Sequence, residues 1–350
     1  MLFSEPVTVA LIGAFGGILL GLAARLGRFC TMGAIEDYLY GGSSVRMRMW
    51  GLSIGVAIVG SFLLVQTGHL KIAETYYYSI AWMPVASILG GLVFGYGMAL
   101  AGNCGFGSMA RLGGGDLRAF VIVLVMGVSA YAVLSGPFAF LRDWAFPQVQ
   151  PTSPVPQGYA HLLTHWTGLN ANIIGMVIGA GVIVAMLASA EFRESPKSIF
   201  WGTLVGLAVI SGWVGTQWVA DRGFEGLPVV SHSFSAPVGE SILYFMTASG
   251  RSLSFAVGSV AGVWFGAFLG SLLKGHFRWE ACEDPRELRR QIIGAALMGA
   301  GAVLALGCTV GQGITAFSLL AYSAPVTFVA IVAGAAFGLR QLISGFESDF

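Results

Sequence analysis

Cys30-Thr31-Met32-Gly33, Cys104-Gly105-Phe106-Gly107 and Cys308-Thr309-Val310-Gly311 share one pattern, and Ala236-Pro237-Val238-Gly239 keeps the glycine without the thiol. The spacings recur: from 30 to 104 is 74 residues and from 236 to 308 is 72, while 30 to 236 is 206 and 104 to 308 is 204. Self-similarity at such separations predicts a duplicated unit. The flanks agree loosely, Gly33-Ala34-Ile35-Glu36-Asp37-Tyr38 with Gly239-Glu240-Ser241-Ile242-Leu243-Tyr244.

Working outward, the chain around these motifs is 56% hydrophobic and 10% charged, with mean hydropathy +0.78. Soluble domains carry about 25% charged residues. Residues 1–24 have no basic n-region and no A-x-A cleavage site, so the opening apolar run is expected to stay as a span. Glycine fills 51 of 350 positions, about twice the usual share, which suits helices packed closely in lipid. A net charge of +1 points to no partner, and nothing reads as a nucleic-acid surface or a soluble catalytic domain. Four cysteines in mostly apolar surroundings do not make a secreted disulfide framework.

A membrane helix needs about 20 mostly apolar residues. Nine segments meet that length: 6–26, 46–66, 83–102, 118–140, 170–190, 198–218, 253–274, 288–307 and 325–343. Four shorter apolar stretches, 30–41, 104–112, 237–248 and 309–320, are each introduced by one of the four motifs. They are too short to cross and read as re-entrant half-helices, with surface helices or loops as the alternative. Nine spans put 14 of the 18 Lys and Arg residues on one side and only Lys71, Arg142, Arg222 and Arg251 on the other. The basic side is expected to be cytoplasmic, with the N-terminus outside and the C-terminus inside.

The expected fold is thus an all-α membrane protein of about nine transmembrane helices plus four half-helices. Residues 1–145 form a first repeat, 146–197 an outer Pro-rich loop (Pro147, Pro151, Pro154, Pro156) and a linker helix, and 198–350 a second repeat. Four spans return the chain to its starting side and a fifth carries it across. The second repeat therefore begins on the opposite face, which predicts an inverted pair meeting as an hourglass. Inverted repeats with discontinuous helices near the midplane are a recurring transporter design. On that reading Cys30, Cys104 and Cys308 line a path, with Cys308 nearest the outside. The alternative is three ordinary buried small residues.

The strings Gly27-Arg28-Phe29-Cys30, Ala101-Gly102-Asn103-Cys104-Gly105-Phe106-Gly107 and Leu306-Gly307-Cys308-Thr309-Val310-Gly311 resemble the YeeE/YedE family of bacterial sulfur-transport membrane proteins. The resemblance covers essentially the whole chain in motif order. It implies an inner-membrane transporter importing thiosulfate past three thiols, no catalysis and no cofactor. It also implies a small TusA-like cytoplasmic sulfur-relay protein as partner. Transport of another sulfur or selenium species is the alternative within the family. Outside it stand a thiol-dependent sulfurtransferase or redox enzyme, and a soft-metal transporter.

Thiosulfate is a dianion, and charge in lipid needs help. Helix N-termini offer free N–H groups and a positive dipole end. A thiol adds a weak donor on a soft atom, able to bind and release at each step as conduction requires. The thiols are expected to be protonated, since a thiolate repels a dianion.

Around the cysteines, the motif glycines Gly33, Gly107 and Gly311 belong to the candidate site. Asn103 and Gln312 are candidates to bond oxyanion oxygens or to serve structurally. Arg111 is a candidate anion attractor or a topology determinant. Glu36, Asp37 and Glu240 gate the route or pair with arginine. His161, His165 and His232 fall in outer loops with no metal-ligand companions and read as surface residues, and Cys282 as incidental. The Gly13, Gly17, Gly21 ladder reads as a helix-packing face.

Overall fold

The computed structural model describes residues 4–147, 156–281 and 284–347, so Cys282 and the loop prolines Pro151 and Pro154 lie outside the described residues. The first part of the chain forms α1 (Glu5–Leu26), α2 (Thr31–Leu39), α3 (Val45–Gln66), the single turn α4 (Tyr76–Ser79), α5 (Pro84–Ala101), α6 (Gly105–Leu112) and α7 (Leu117–Leu134). Linking helices follow: α8 (Ala139–Ala145), α9 (Tyr159–Thr167), α10 (Ala171–Leu187) and α11 (Ala190–Arg193). The last part forms α12 (Pro196–Ala220), α13 (Ala236–Thr247), α14 (Phe255–Leu273), α15 (Pro285–Leu304), a π-helical turn at Gly311–Ala316 and α16 (Ser323–Glu347). Among the described residues there is no strand, only isolated bridges such as Thr75 with Val229.

A helix occupies each of the nine expected segments. Among the described residues, seven candidate spans are long and apolar enough to cross a membrane, and eight if α9 and α10, bent by 117°, count as one. α15 falls outside this set because Arg286, Glu287, Arg289 and Arg290 occupy its first turns. α2 follows α1, and α6 follows α5, so closely that each pair reads as one candidate span, Glu5–Leu39 and Pro84–Leu112, broken at its cysteine. The expected segment 118–140 stops at Leu134, just before Gly136-Pro137, and resumes as α8. Proline lacks the N–H and disfavours helix in the residue before it. The short α9 was not foreseen.

The packing has a regularity that the element order alone does not impose. α1 lies on α14 and α12 on α3; α5 lies on α16 and α15 on α7; α2 meets α16 and α13 meets α7. α6 packs on α7 and α14, as the π turn packs on α16 and α3. Exchange α1, α2, α3, α5, α6 and α7 for α12, α13, α14, α15, the π turn and α16, and each of these pairs becomes another observed pair. α10 stands apart, against α3 and α9.

Glycine permits the closest of these contacts. A Cβ on Gly13, Gly17 or Gly21 of α1 would land on the Phe255, Ser259 or Val263 carbonyl oxygen of α14. In return, Gly258, Gly262 and Gly266 of α14 would strike the Ala10, Ala14 and Ile18 carbonyls. The two backbones touch along a two-sided small-residue seam, as membrane helices do when no side chains intervene. The glycine ladder read from α1 is therefore a packing face.

Candidate functional site

Each thiol is delivered by the same backbone device. A long helix ends, one residue adopts left-handed φ, and two positions later the cysteine opens a helical segment. The left-handed residues are Arg28 (φ 56°), Gly102 (φ 74°) and Leu306 (φ 55°), each two before its cysteine. Glycine adopts this conformation freely, whereas a non-glycine residue held in such a region costs of the order of 1–3 kcal/mol. Arg28 and Leu306 therefore mark strained joints. Cys30 and Cys104 then take extended backbone as N-caps of α2 and α6. In each Cys-x-x-Gly the glycine N–H donates to the thiol sulfur: Gly33 to Cys30 at 3.5 Å, Gly107 to Cys104 at 3.4 Å and Gly311 to Cys308 at 3.4 Å. Sulfur thus fills the role that a serine or aspartate oxygen usually plays at a helix start. At α13, where alanine replaces cysteine, Ser235 caps without a side-chain bond.

The motif glycines have a second task. A Cβ on Gly33 would collide with Arg46 Nη1, one on Gly107 with Asn103 Oδ1, and one on Gly311 would lie 2.7 Å from Ser233 Oγ. Each glycine lets a polar side chain reach the start of a short helix. At the thiol-less Gly239 the neighbour is instead the Tyr131 ring.

The three thiols form a series. Cys104 is fully buried and lies within electrostatic reach of both Cys30 and Cys308. Cys30, half-buried, donates to Asn103 Oδ1 at 3.3 Å, and the same oxygen accepts the Cys104 backbone N–H at 3.1 Å. In this bond the Cys30 thiol is the donor, since an amide oxygen can only accept. Cys308 is buried and accepts from Phe234 N–H at 3.3 Å, with Ser233 Oγ 3.8 Å away. Phe29, Phe106 and Phe234 accompany the thiols as a buried aromatic row, with centroids 6.4 Å and 5.3 Å apart.

A cavity of about 410 Å³ opens beside Cys308. Tyr77, Ser231, Ser233, Ser235 and Glu240 line it, and it reaches Leu306 and Gly307, immediately before the thiol. Glu240 accepts from Ser254 Oγ. At the other end of the series, beside Cys30, Arg46 pairs with Asp37 through Nε at 3.1 Å.

The remaining candidates divide. Asn103 ties the Cys30 thiol to the Cys104 backbone. Gln312 is committed elsewhere: its amide donates to the Ala305 and Leu306 carbonyls at 2.9 and 3.1 Å and accepts from Ser323, tying off the end of α15. Arg111 pairs with Asp116 at 3.1 Å, and Glu36 is exposed on α2, near Arg46. His165 is exposed, and His161 lies edge-on to Tyr78.

His232 is a correction. It is not on the surface but fully buried, with Nδ1 2.7 Å from Ser259 Oγ and its ring between Phe234 and Phe255. Hydropathy marks 221–235 as a polar loop, yet its end plunges between α12 and α14 and holds the Phe234 N–H against Cys308. By sequence Arg46 is one of the 14 basic residues of the expected cytoplasmic side. The collision that fixes Gly33 is tertiary and leaves no local signal.

The profile of a family described as sulphur transport matches residues 26–337. The chain belongs to the sulphur-transport family. The resemblance drawn from the cysteine motifs is thereby borne out. A thiosulfate transporter, TsuA, of Spirochaeta thermophila is 27% identical over 329 residues, covering 92% of this chain and 96% of the relative. TsuA of Escherichia coli is 24% identical over 353 residues, covering 93% of each. The probable transporter YedE of E. coli is 28% identical over 132 residues, 37% of this chain and 31% of its own. These relatives are transporters by name, and the family makes this chain a multi-pass membrane transporter rather than a thiol enzyme.

Proposed function

We propose that the chain imports thiosulfate through the bacterial inner membrane along Cys308, Cys104 and Cys30 in that order. The observation that carries the reading is the thiol series: three cysteines capping three helical segments, with the middle one in reach of both others. Two relatives matched over nearly their whole length are named for thiosulfate. The anion's terminal sulfur accepts S–H from successive thiols while helix-start N–H groups offset its charge. The cavity beside Cys308 is the outer vestibule, and the basic face carrying Arg25, Arg48 and Arg118 is cytoplasmic. The exchange of helix pairs supports two inverted halves, 1–145 and 198–350, joined by 146–197. A TusA-like relay protein is the expected receiver inside.

The test is uptake of ³⁵S-thiosulfate by proteoliposomes holding the purified chain. Accumulation above empty vesicles, competed by unlabelled thiosulfate, is the expected outcome. No accumulation rejects the reading, and stronger competition by a selenium or other sulfur anion reassigns the cargo.

Arg46 belongs to the inner mouth, where its guanidinium draws the anion from Cys30. Hydrogen bonds to charged groups contribute about 1.5–3 kcal/mol, less where solvent reaches them as it does here. Arg46→Gln is therefore expected to slow uptake about three- to tenfold, with Arg46→Lys in between because it keeps the charge but not the fork. Initial rates measure this, and an unchanged Arg46→Gln rate assigns Arg46 to Asp37 pairing alone.

A further inference from the structure

Two threonines follow cysteines in the repeated motifs, Thr31 after Cys30 and Thr309 after Cys308. Both are buried, at 2% and 0% exposure, and neither hydroxyl has an oxygen or nitrogen partner. Both side chains nonetheless face one atom, the Cys104 sulfur, although they arrive on different broken helices. An uncommitted hydroxyl buried in apolar surroundings is costly and rare. Two of them beside the same buried thiol make a cluster with hard donors flanking a soft one.

The geometry points to Thr31 and Thr309 as specificity-determining residues at the Cys104 station, where their hydroxyls donate to the oxygens of an anion whose terminal sulfur meets the thiol. The inference rests on the thiosulfate reading and deepens it. Sulfate offers oxygens but no soft terminus, and hydrosulfide offers sulfur but no oxygens. An anion with one sulfur end and one oxyanion end engages all three groups. The sites need one charge-assisted bond from each hydroxyl, and beside the Cys104 sulfur neither hydroxyl has an oxygen or nitrogen partner to give up.

The test is ³⁵S-thiosulfate uptake by proteoliposomes carrying wild type, Thr31→Val, Thr309→Val, Thr31→Ser or Thr309→Ser, with thermal unfolding of each in detergent. Valine keeps the shape and removes the donor. Each valine variant is expected to take up sub-saturating thiosulfate about 10- to 100-fold more slowly, while unfolding at or above the wild-type temperature because an unpaired buried hydroxyl is gone. The serine variants keep a donor and are expected within about threefold of wild type. Valine variants transporting like wild type overturn the inference while leaving the thiosulfate reading intact. Serine variants as slow as the valine ones, or valine variants that unfold early, reassign the threonines to packing and overturn it too. Wild-type vesicles that move no thiosulfate overturn both.

Discussion

Cys104→Ala is expected to lower thiosulfate uptake at least about 100-fold while leaving the protein folded. Cys104 is in electrostatic reach of both other thiols, and it is fully buried. On the proposed route, removing it leaves the dianion to pass from Cys308 to Cys30 with no soft donor between. A charge in the middle of a membrane without a partner costs roughly 2.5–3.5 kcal/mol by insertion scales, and each 1.36 kcal/mol of barrier is about tenfold in rate. The structural loss is small by comparison, because α13, the short helix of the fourth motif, starts at Ala236 with no thiol at all. Cys104→Ser separates donor from softness: the hydroxyl still donates, and an intermediate rate is expected. Uptake by proteoliposomes at matched protein content measures both. A Cys104→Ala rate within threefold of wild type removes the middle station from the path.

Gly258→Val is expected to abolish the folded protein. The added Cβ would strike the Ala10 carbonyl of α1, and it is backbone, not a movable side chain, that must yield. Overpacking a close-packed site against side chains already costs about 1–3 kcal/mol, and here α1 and α14 must separate along the whole seam. Gly181→Ala on α10 is the control, since nothing lies within 4 Å of its new Cβ and alanine favours helix over glycine by about 1 kcal/mol. Size-exclusion profiles and thermal unfolding in detergent compare them. Aggregated or absent Gly258→Val beside a well-behaved Gly181→Ala is the expected pair of results, and a wild-type melting curve for Gly258→Val contradicts the seam.

Much of this architecture is legible in the chain because its determinants are local. Length and apolar composition locate the long helices, and the Cys-x-x-Gly spacing locates α2, α6 and the helical turn after Cys308, since a cap must meet an N–H three residues on. The α1 glycine ladder reads as packing because its period is helical. What stays hidden depends on distant partners. His232 looks like a loop residue until α12 and α14 close around it. Thr31 and Thr309 are unremarkable in sequence, and only the convergence of two broken helices on Cys104 joins them. Gln312 follows the Cys308 motif like a ligand, yet the exposed carbonyls at the end of α15 claim it.

The most direct test of the thiol path is long-wavelength anomalous diffraction from crystals of the protein grown with thiosulfate, which images sulfur atoms themselves. The account predicts paired ligand-sulfur peaks with the terminal sulfur at non-bonded contact distance from Cys308 or Cys104 and the oxyanion end turned toward hydroxyl or helix-start N–H groups. A sulfur peak at about 2.05 Å from a cysteine sulfur, the length of a disulfide bond, or ligand peaks only at sites remote from all three thiols, would contradict it.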